Sequence, residues 1–215
     1  MKFQIAILSV CLAATQAVKG AVTISLTENL TTGPVFQNST GGVILDGRLV
    51  RIGMFTGGDP SPNATFDTLA ATFVEFNTTT FGNATVTNAD DNKGRISRSN
   101  IADGAAPPAA SAFVNQKIFI WVYDSATASP LVDQGVFSSS TNILFADALS
   151  ATSVSMLKMD QAFGKFAGAA VGATTTLIPN QTTGGILNLA GPVPEASTAA
   201  MFFIGLVGMI YRRRR

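Results

Sequence analysis

The fold is decided by the stretch Lys117-Ile118-Phe119-Ile120-Trp121-Val122-Tyr123. Residues 118–123 are apolar at every position, and their β-branched and aromatic side chains favour a strand over a helix. A strand without polar alternation is expected to be covered on both faces. We therefore predict a central strand over residues 117–123, with the only tryptophan of the chain, Trp121, buried in it.

The rest of the chain repeats this pattern more weakly. Thr, Ser, Asn and Gly are abundant, charge is sparse, and short apolar runs are broken by turn residues at intervals of about ten. This pattern predicts a mainly β fold: a single antiparallel β-sandwich or barrel-like domain with one or two short helices. The predicted strands are residues 21–26, 42–45, 49–55, 81–87, 95–99, 117–123, 131–137 and 186–189.

Three connections are also predicted. Asp46-Gly47 stands between two short apolar runs and predicts a two-residue hairpin joining residues 43–45 to 48–50. The turn at residues 124–130 predicts a second hairpin, from 117–123 to 131–137. Pro107-Pro108 cannot donate to a ladder, so residues 103–111 are predicted to form a loop.

Two segments have helical rather than strand spacing. The first follows the start signals Ser61, Pro62 and Asn63 and predicts a helix over residues 63–75. Its apolar positions are Phe66, Leu69, Ala70, Phe73 and Phe76. The second carries Met156, Met159, Phe163 and Phe166, with Gly168 as a stop. Packing of this second stripe in the core is favoured over a partner-binding surface.

The first twenty residues have the pattern of a secretory signal peptide. A short basic start, Met1-Lys2, precedes an apolar stretch over residues 3–14, and small residues follow. Cleavage is expected after Ala17 or Gly20. The β-rich domain, residues 21–190, is then extracytoplasmic.

The last residues predict a second membrane-directed segment. The apolar run over residues 199–211 makes a helix of about 20 Å at 1.5 Å per residue, against a hydrocarbon core of about 30 Å. It is therefore short for a permanent span. Arg212, Arg213, Arg214 and Arg215 follow it and are expected to stay on the cytoplasmic side of the inner membrane.

The order of features over residues 191–215 resembles the PEP-CTERM sorting signal of secreted bacterial proteins. The motif residues are Val193, Pro194, Glu195, Ala196 and Ser197, followed by the apolar helix and then the arginine cluster. Alanine stands at 196, where the family has proline. The resemblance implies that an exosortase-type membrane protease cuts near the motif and delivers the protein to the cell surface or extracellular matrix. The alternative is a plain membrane anchor, with residues 197–211 kept as a short tilted span.

Composition excludes several kinds of function. Without Lys2, Lys19, Glu195 and the four terminal arginines, residues 21–194 hold 8 basic and 12 acidic residues, a net charge of about −4. Such a body offers no basic face for nucleic acid. The chain has no histidine and one cysteine, Cys11, so a Cys/His zinc site and a Ser-His-Asp triad are excluded.

No metal or cofactor is predicted. Residues 88–94 place oxygen side chains at alternate positions, as a calcium loop does, but Lys93 stands where an EF-hand needs glycine and Ser99 where it needs glutamate. A polar turn is the favoured interpretation.

Three functions remain for the body. A structural surface or matrix protein without enzymatic activity is the favoured hypothesis. The alternative, a carbohydrate- or exopolysaccharide-binding module, needs an exposed aromatic platform that a buried Trp121 does not supply. A glycosidase needs a carboxylate pair, and the candidates are scattered: Asp46, Asp59, Asp67, Glu75, Asp124 and Asp133.

Overall fold

The computed structural model describes residues 22–27, 34–83, 94–102, 112–146, 151–167, 176–178 and 186–192. The strands are β1 (Thr23–Thr27), β2 (Val35–Gln37), β3 (Leu49–Phe55), β4 (Phe73–Thr80), β5 (Gly82–Asn83), β6 (Ile96–Ala102), β7 (Phe119–Tyr123), β8 (Gln134–Ser138), β9 (Ala151–Ser155), β10 (Gln161–Phe163), β11 (Thr176–Ile178) and β12 (Ile186–Asn188). One α-helix, α1 (Phe66–Thr72), and a 3₁₀ turn at Met156–Lys158 accompany them. The mainly β prediction is confirmed, and in this part of the chain the strands form open sheets and no closed barrel.

The largest sheet has five antiparallel strands in the order β10-β8-β7-β3-β4. β7 lies in its middle, and all five of its residues are buried. β7 and β8 form the predicted hairpin, with Trp121 opposite Val136. The prediction of a buried central strand at residues 117–123 is therefore confirmed.

Two smaller sheets contain parallel pairs that local patterns did not predict. The four-stranded sheet has the order β5-β6-β1-β9, and the three-stranded sheet has the order β11-β12-β2. β1 runs parallel to β9, β5 to β6, and β2 to β12. The β1–β9 and β2–β12 pairs join segments more than 100 residues apart, as Thr23 and Ala151 show. No hairpin signal can therefore reveal them.

Alternate residues of the central sheet face two separate hydrophobic clusters. The inner cluster joins Val50, Ile120 and Phe137 of this sheet to Ile24 of β1 and Leu187 of β12. The aromatic cluster, on the opposite face, contains Phe55, Phe66, Leu69, Phe119, Trp121, Tyr123, Val136, Phe163 and Ala190. Since one face packs on the other sheets and the other on α1, the central sheet needs apolar residues at both parities.

The predicted hairpin at Asp46-Gly47 was wrong. Residues 46–47 do form a turn, with Gly47 at a φ of +79°, but the preceding run does not pair with β3: Val43 forms an isolated bridge to Gln37, and Ile44 bonds to Phe36 and Gly94. β3 has β4 on one edge and β7 on the other, so it has no free edge for residues 42–45. That segment is not a strand.

The helix predicted over residues 63–75 is shorter than expected. It starts after Thr65, whose side chain accepts a bond from the backbone N–H of Thr68, and ends at Thr72. From Phe73 the chain is rich in β-branched residues and pairs along the whole of β3. Phe73 and Phe76 therefore lie on opposite faces of a strand, in different clusters.

The second predicted helix was wrong, because the segment forms a 3₁₀ turn and a strand. The predicted burial of its apolar side chains was correct. Met156 begins a 3₁₀ turn, and Phe163 ends β10, which pairs with the edge of β8. Met156, Met159 and Phe163 are all buried, which confirms core packing. The free edge of β8 decides the conformation of residues 161–163.

The other predicted segments divide into three groups. β1, β3, β6, β8 and β12 overlap predicted strands, and β5 lies at the start of the predicted segment 81–87. β2, β4, β9, β10 and β11 were not predicted. The loop 103–111 and residues 84–93 lie outside the described residues, and no helix within the described residues is long and apolar enough to span a membrane.

Gly53 marks a close approach between β3 and β4, beside the register shift after Ile52. A Cβ at Gly53 would overlap the carbonyl oxygen of Val74 and lie 2.7 Å from the ring of Phe73. We expect Gly53→Ala to lower the free energy of unfolding by about 3 kcal/mol, because a strand backbone must move. Urea denaturation measures it.

The matched control is Gly58→Ala. Gly58 has a φ of +93° and open space around it, so this change costs about 1 kcal/mol of backbone strain alone. Equal losses in the two variants would contradict the steric explanation.

Candidate functional site

The predicted sorting residues lie outside the described residues: Val193, Pro194, Glu195, Ala196, Ser197, the run 199–211 and Arg212 to Arg215. The signal-cleavage candidates Ala17 and Gly20 do as well. What the structure describes is the segment that leads to the motif. β12 pairs with β2, and the N–H of Leu189 then donates to the carbonyl of Gln37 at 2.8 Å.

The final backbone pair of this segment is made by Ala190. Its N–H donates to the carbonyl of Gln134 at 2.9 Å, and the N–H of Gln134 donates back to Ala190 at 3.0 Å. Ala190 is buried in the aromatic cluster. The described body is therefore paired up to a point four residues before Pro194.

The side chain of Gln134 is a buried polar group among aromatic residues. Only 2% of its surface is exposed, and its Oε1 accepts a hydrogen bond from the indole Nε1–H of Trp121 at 3.0 Å. An indole N–H can only donate, so this bond fixes which end of the amide faces the tryptophan. Nε2 faces the other way and has no hydrogen-bond partner among the described residues.

Beside Gln134 lies a groove with a volume of about 190 Å³. We call it the Gln134 groove. It is lined by Phe66, Asp67, Pro130, Leu131, Gln134, Phe166, Ala167 and Pro192. These residues come from α1, the β7–β8 loop, β8, the segment after β10 and the segment after β12.

One wall of the groove is built by the chain that leaves β10. The N–H of Phe66 donates to the carbonyl of Lys165 at 3.0 Å, and the N–H of Lys165 donates to Ala64 at 3.1 Å. Gly164 turns the chain at a φ of +102°, and a Cβ there would overlap the ring of Phe66. Phe166 then packs edge-on against Phe66, with ring centroids 5.0 Å apart.

On its other side Trp121 is held by a charged network. Its ring stacks on Tyr123 with centroids 5.7 Å apart, and the guanidinium of Arg51 lies 5.5 Å from the Trp121 ring centroid. Arg51 Nε donates to Glu75 at 2.5 Å and a terminal nitrogen donates to the Tyr123 hydroxyl at 3.3 Å. Because Trp121 is held from both sides, the amide of Gln134 is held with it.

Burial and hydrogen bonding shift the pKa values of Tyr123 and Arg51. Burial raises the pKa of the Tyr123 phenol, and the hydrogen bond from Arg51 only partly opposes this effect. Burial lowers the pKa of Arg51, but the hydrogen bonds to Glu75 and Tyr123 outweigh it, and the pKa is raised. At neutral pH the phenol is therefore protonated and the guanidinium charged, an arrangement suited to support rather than to proton transfer.

The six candidate carboxylates have different surroundings. Asp67 lines the Gln134 groove and Asp46 is exposed. The other four have separate polar partners: Asp59 with Lys117, Glu75 with Arg51, Asp124 with Arg48 and Asn38, and Asp133 with the N–H of Ser39. The described residues contain no group of three or more acidic, histidine or cysteine residues that would hold a metal. The loop 88–93 lies outside them.

Sequence reasoning did not identify Gln134 as a functional residue. One signal was present: Gln134 has the same strand parity as Val136 within the segment 131–137. Gln134 therefore lies on the same face of the sheet as Trp121 and Tyr123, and it pairs directly with Tyr123 across the hairpin. A polar residue among aromatic neighbours on a covered face indicates a specific hydrogen bond.

Comparison with known protein families identifies the C-terminal segment. Residues 192–215 match the family model described as the PEP-CTERM protein-sorting motif. This segment is of the class that directs sorting through the C-terminus, and its presence supports export of the chain. Specifically, the chain carries a PEP-CTERM sorting signal, as its residues 193–197 and 212–215 predicted. No curated protein and no solved structure matches the chain.

Proposed function

We propose that this protein is a structural component of the cell surface or extracellular matrix, without enzymatic activity, delivered by cleavage of its C-terminal signal. The observation that carries the proposal is the PEP-CTERM motif over residues 192–215. An exosortase-type membrane protease is its transient partner. The apolar run 199–211 enters the inner membrane, and Arg212 to Arg215 keep its end in the cytoplasm until cleavage.

The end of the β-rich body supports this route. The last described backbone pair is at Ala190, so a cut after Pro194 or Glu195 preserves every backbone hydrogen bond of β12, Leu189 and Ala190. Cleavage is therefore compatible with a body that has already folded. The β-rich domain can therefore be released from the membrane to the matrix in its folded state.

The composition of the body supports a structural role. With Cys11 in the predicted signal peptide, the mature chain has no cysteine, so its stability rests on the inner and aromatic clusters. A net charge of about −4 keeps it soluble and gives no attraction for nucleic acid. Binding of exopolysaccharide is the second candidate function, which the Gln134 groove favours.

The proposal is tested by cell fractionation of the native host and mass measurement of the C-terminus of the protein. We expect a chain that ends near Pro194 or Glu195 in the surface or extracellular fraction. A chain that still carries Arg212 to Arg215 in the membrane fraction would overturn the proposal and identify a simple anchored protein.

A further inference from the structure

We propose that the Gln134 groove binds one neutral sugar unit of a surface or matrix polysaccharide. That the sugar belongs to a surface or matrix polysaccharide rests on the proposed function. The preference for a neutral sugar rests on the groove alone. The buried amide of Gln134, the carboxylate of Asp67 and the rings of Phe66 and Phe166 supply the contacts.

The amide of Gln134 provides a donor of fixed direction. Trp121 occupies Oε1, so the atom left for the groove is Nε2, which carries two N–H groups. A ligand oxygen that enters the groove can accept a hydrogen bond from these N–H groups. The ligand must therefore present a hydrogen-bond acceptor to the floor of the groove.

Asp67 provides the complementary group at the rim. It lies exposed in the first turn of α1 and is the only charged residue among the described residues that line the groove. Its carboxylate accepts hydrogen bonds and repels anions, while Gln134 donates. A hydroxyl group accepts and donates at once, so a ligand with neighbouring hydroxyls satisfies both side chains.

Shape and apolar surface narrow the ligand further. The half-buried ring of Phe166 and the exposed Pro130 and Pro192 offer surfaces against which the C–H face of a sugar ring can pack, and the ring of Phe66 supports Phe166 from behind. The volume of about 190 Å³ is below the 300–1,000 Å³ of sites for drug-sized ligands. One ring-sized unit fits, and the rest of a longer chain extends past Leu131, which is 78% exposed.

The test uses the folded protein, purified from whichever cell fraction holds it, and neutral trisaccharides of glucose, mannose and galactose as probes. Each probe is titrated to about 10 mM, enough to detect a Kd near 1 mM. We expect at least one to shift the side-chain amide signals of Gln134 in a nuclear magnetic resonance spectrum. The dissociation constant is obtained from the same titration, as the dependence of this shift on probe concentration.

Two matched variants separate the groove from the rest of the surface. Asp67→Asn is expected to weaken the binding about tenfold, because the charged acceptor is lost. Asp46→Asn changes an exposed carboxylate that does not line the groove and is expected to leave binding unchanged.

Three outcomes would overturn the sugar proposal: Gln134 signals that no neutral trisaccharide moves, binding restricted to uronic acid oligomers, or a shift produced only by a peptide of residues 193–198. None of these alters where the protein is found in the cell. Conversely, a chain that stays in the membrane fraction but binds a trisaccharide would overturn the proposed delivery and leave the sugar site standing.

Discussion

Replacing Pro194 and Glu195 together by alanine is expected to leave the chain uncut and held in the membrane fraction. Glu195 is the only acidic residue of the matched segment 192–215, so it is the only negatively charged side chain that a protease can recognise there. Pro194 fixes its own φ and biases Val193 toward the extended conformation. Without both, we expect the extracellular amount to fall at least about tenfold, which corresponds to about 1.4 kcal/mol of lost recognition. Immunoblots of the membrane and extracellular fractions measure it.

The control for this prediction is Ala196→Pro, which restores the proline that the family has at this position. Processing should continue at the same rate or faster, since the change moves the motif toward the family pattern. The double alanine variant must also fold, and urea denaturation of the solubilised chain checks this. Normal release of the double variant would show that the motif is not what the protease reads.

The second large effect is expected at Trp121. Only 1% of this residue is exposed, and it contacts Phe66, Phe73 and Tyr123 in the aromatic cluster. Trp121→Ala should lower the free energy of unfolding by about 3–5 kcal/mol. That is a large part of the total of roughly 5–15 kcal/mol for a domain, and no disulfide compensates for it. Urea denaturation followed by circular dichroism measures the loss.

Two further variants make this result interpretable. Trp121→Phe keeps a ring but leaves Oε1 of Gln134 without its donor, so an intermediate loss of about 1–3 kcal/mol is expected. Leu131→Ala removes an apolar side chain that is 78% exposed and should change stability by less than about 0.5 kcal/mol. A Trp121→Ala loss no larger than that of Leu131→Ala would contradict the burial described above.

The sequence was most informative where a segment's own pattern determines its environment. The uninterrupted apolar run at 118–123 requires cover on both faces, and β7 is covered on both. The strand at 49–55 was predicted with its observed bounds. The failures lie where pairing partners decide the conformation. Residues 73–76 and 161–163 have apolar spacing compatible with a helix, but each segment meets a free strand edge. The spacing of apolar residues within a segment does not show that such an edge is available.

The sorting signal and the Gln134 groove also differed in how far the sequence could predict them. The sorting signal is contiguous, and its order of motif, apolar run and arginines was sufficient to identify it. The Gln134 groove is assembled from five segments between Phe66 and Pro192. The β7–β8 hairpin, the pairing of Ala190 with Gln134 and the backbone bonds of Lys165 to Ala64 and Phe66 bring those segments together, so the groove could not be predicted from any one of them.

The pairing of Ala190 with Gln134 also has a mechanical consequence. On the proposed delivery route the tail is inserted in the membrane before cleavage, and tension on the chain between lipid and body would reach Ala190 through Pro192. Ala190 passes it directly to β8, a strand inside the five-stranded sheet, through two backbone hydrogen bonds. On this route the precursor would be tethered at the interior of its largest sheet, and the proposed cleavage would unload the strand that carries Gln134.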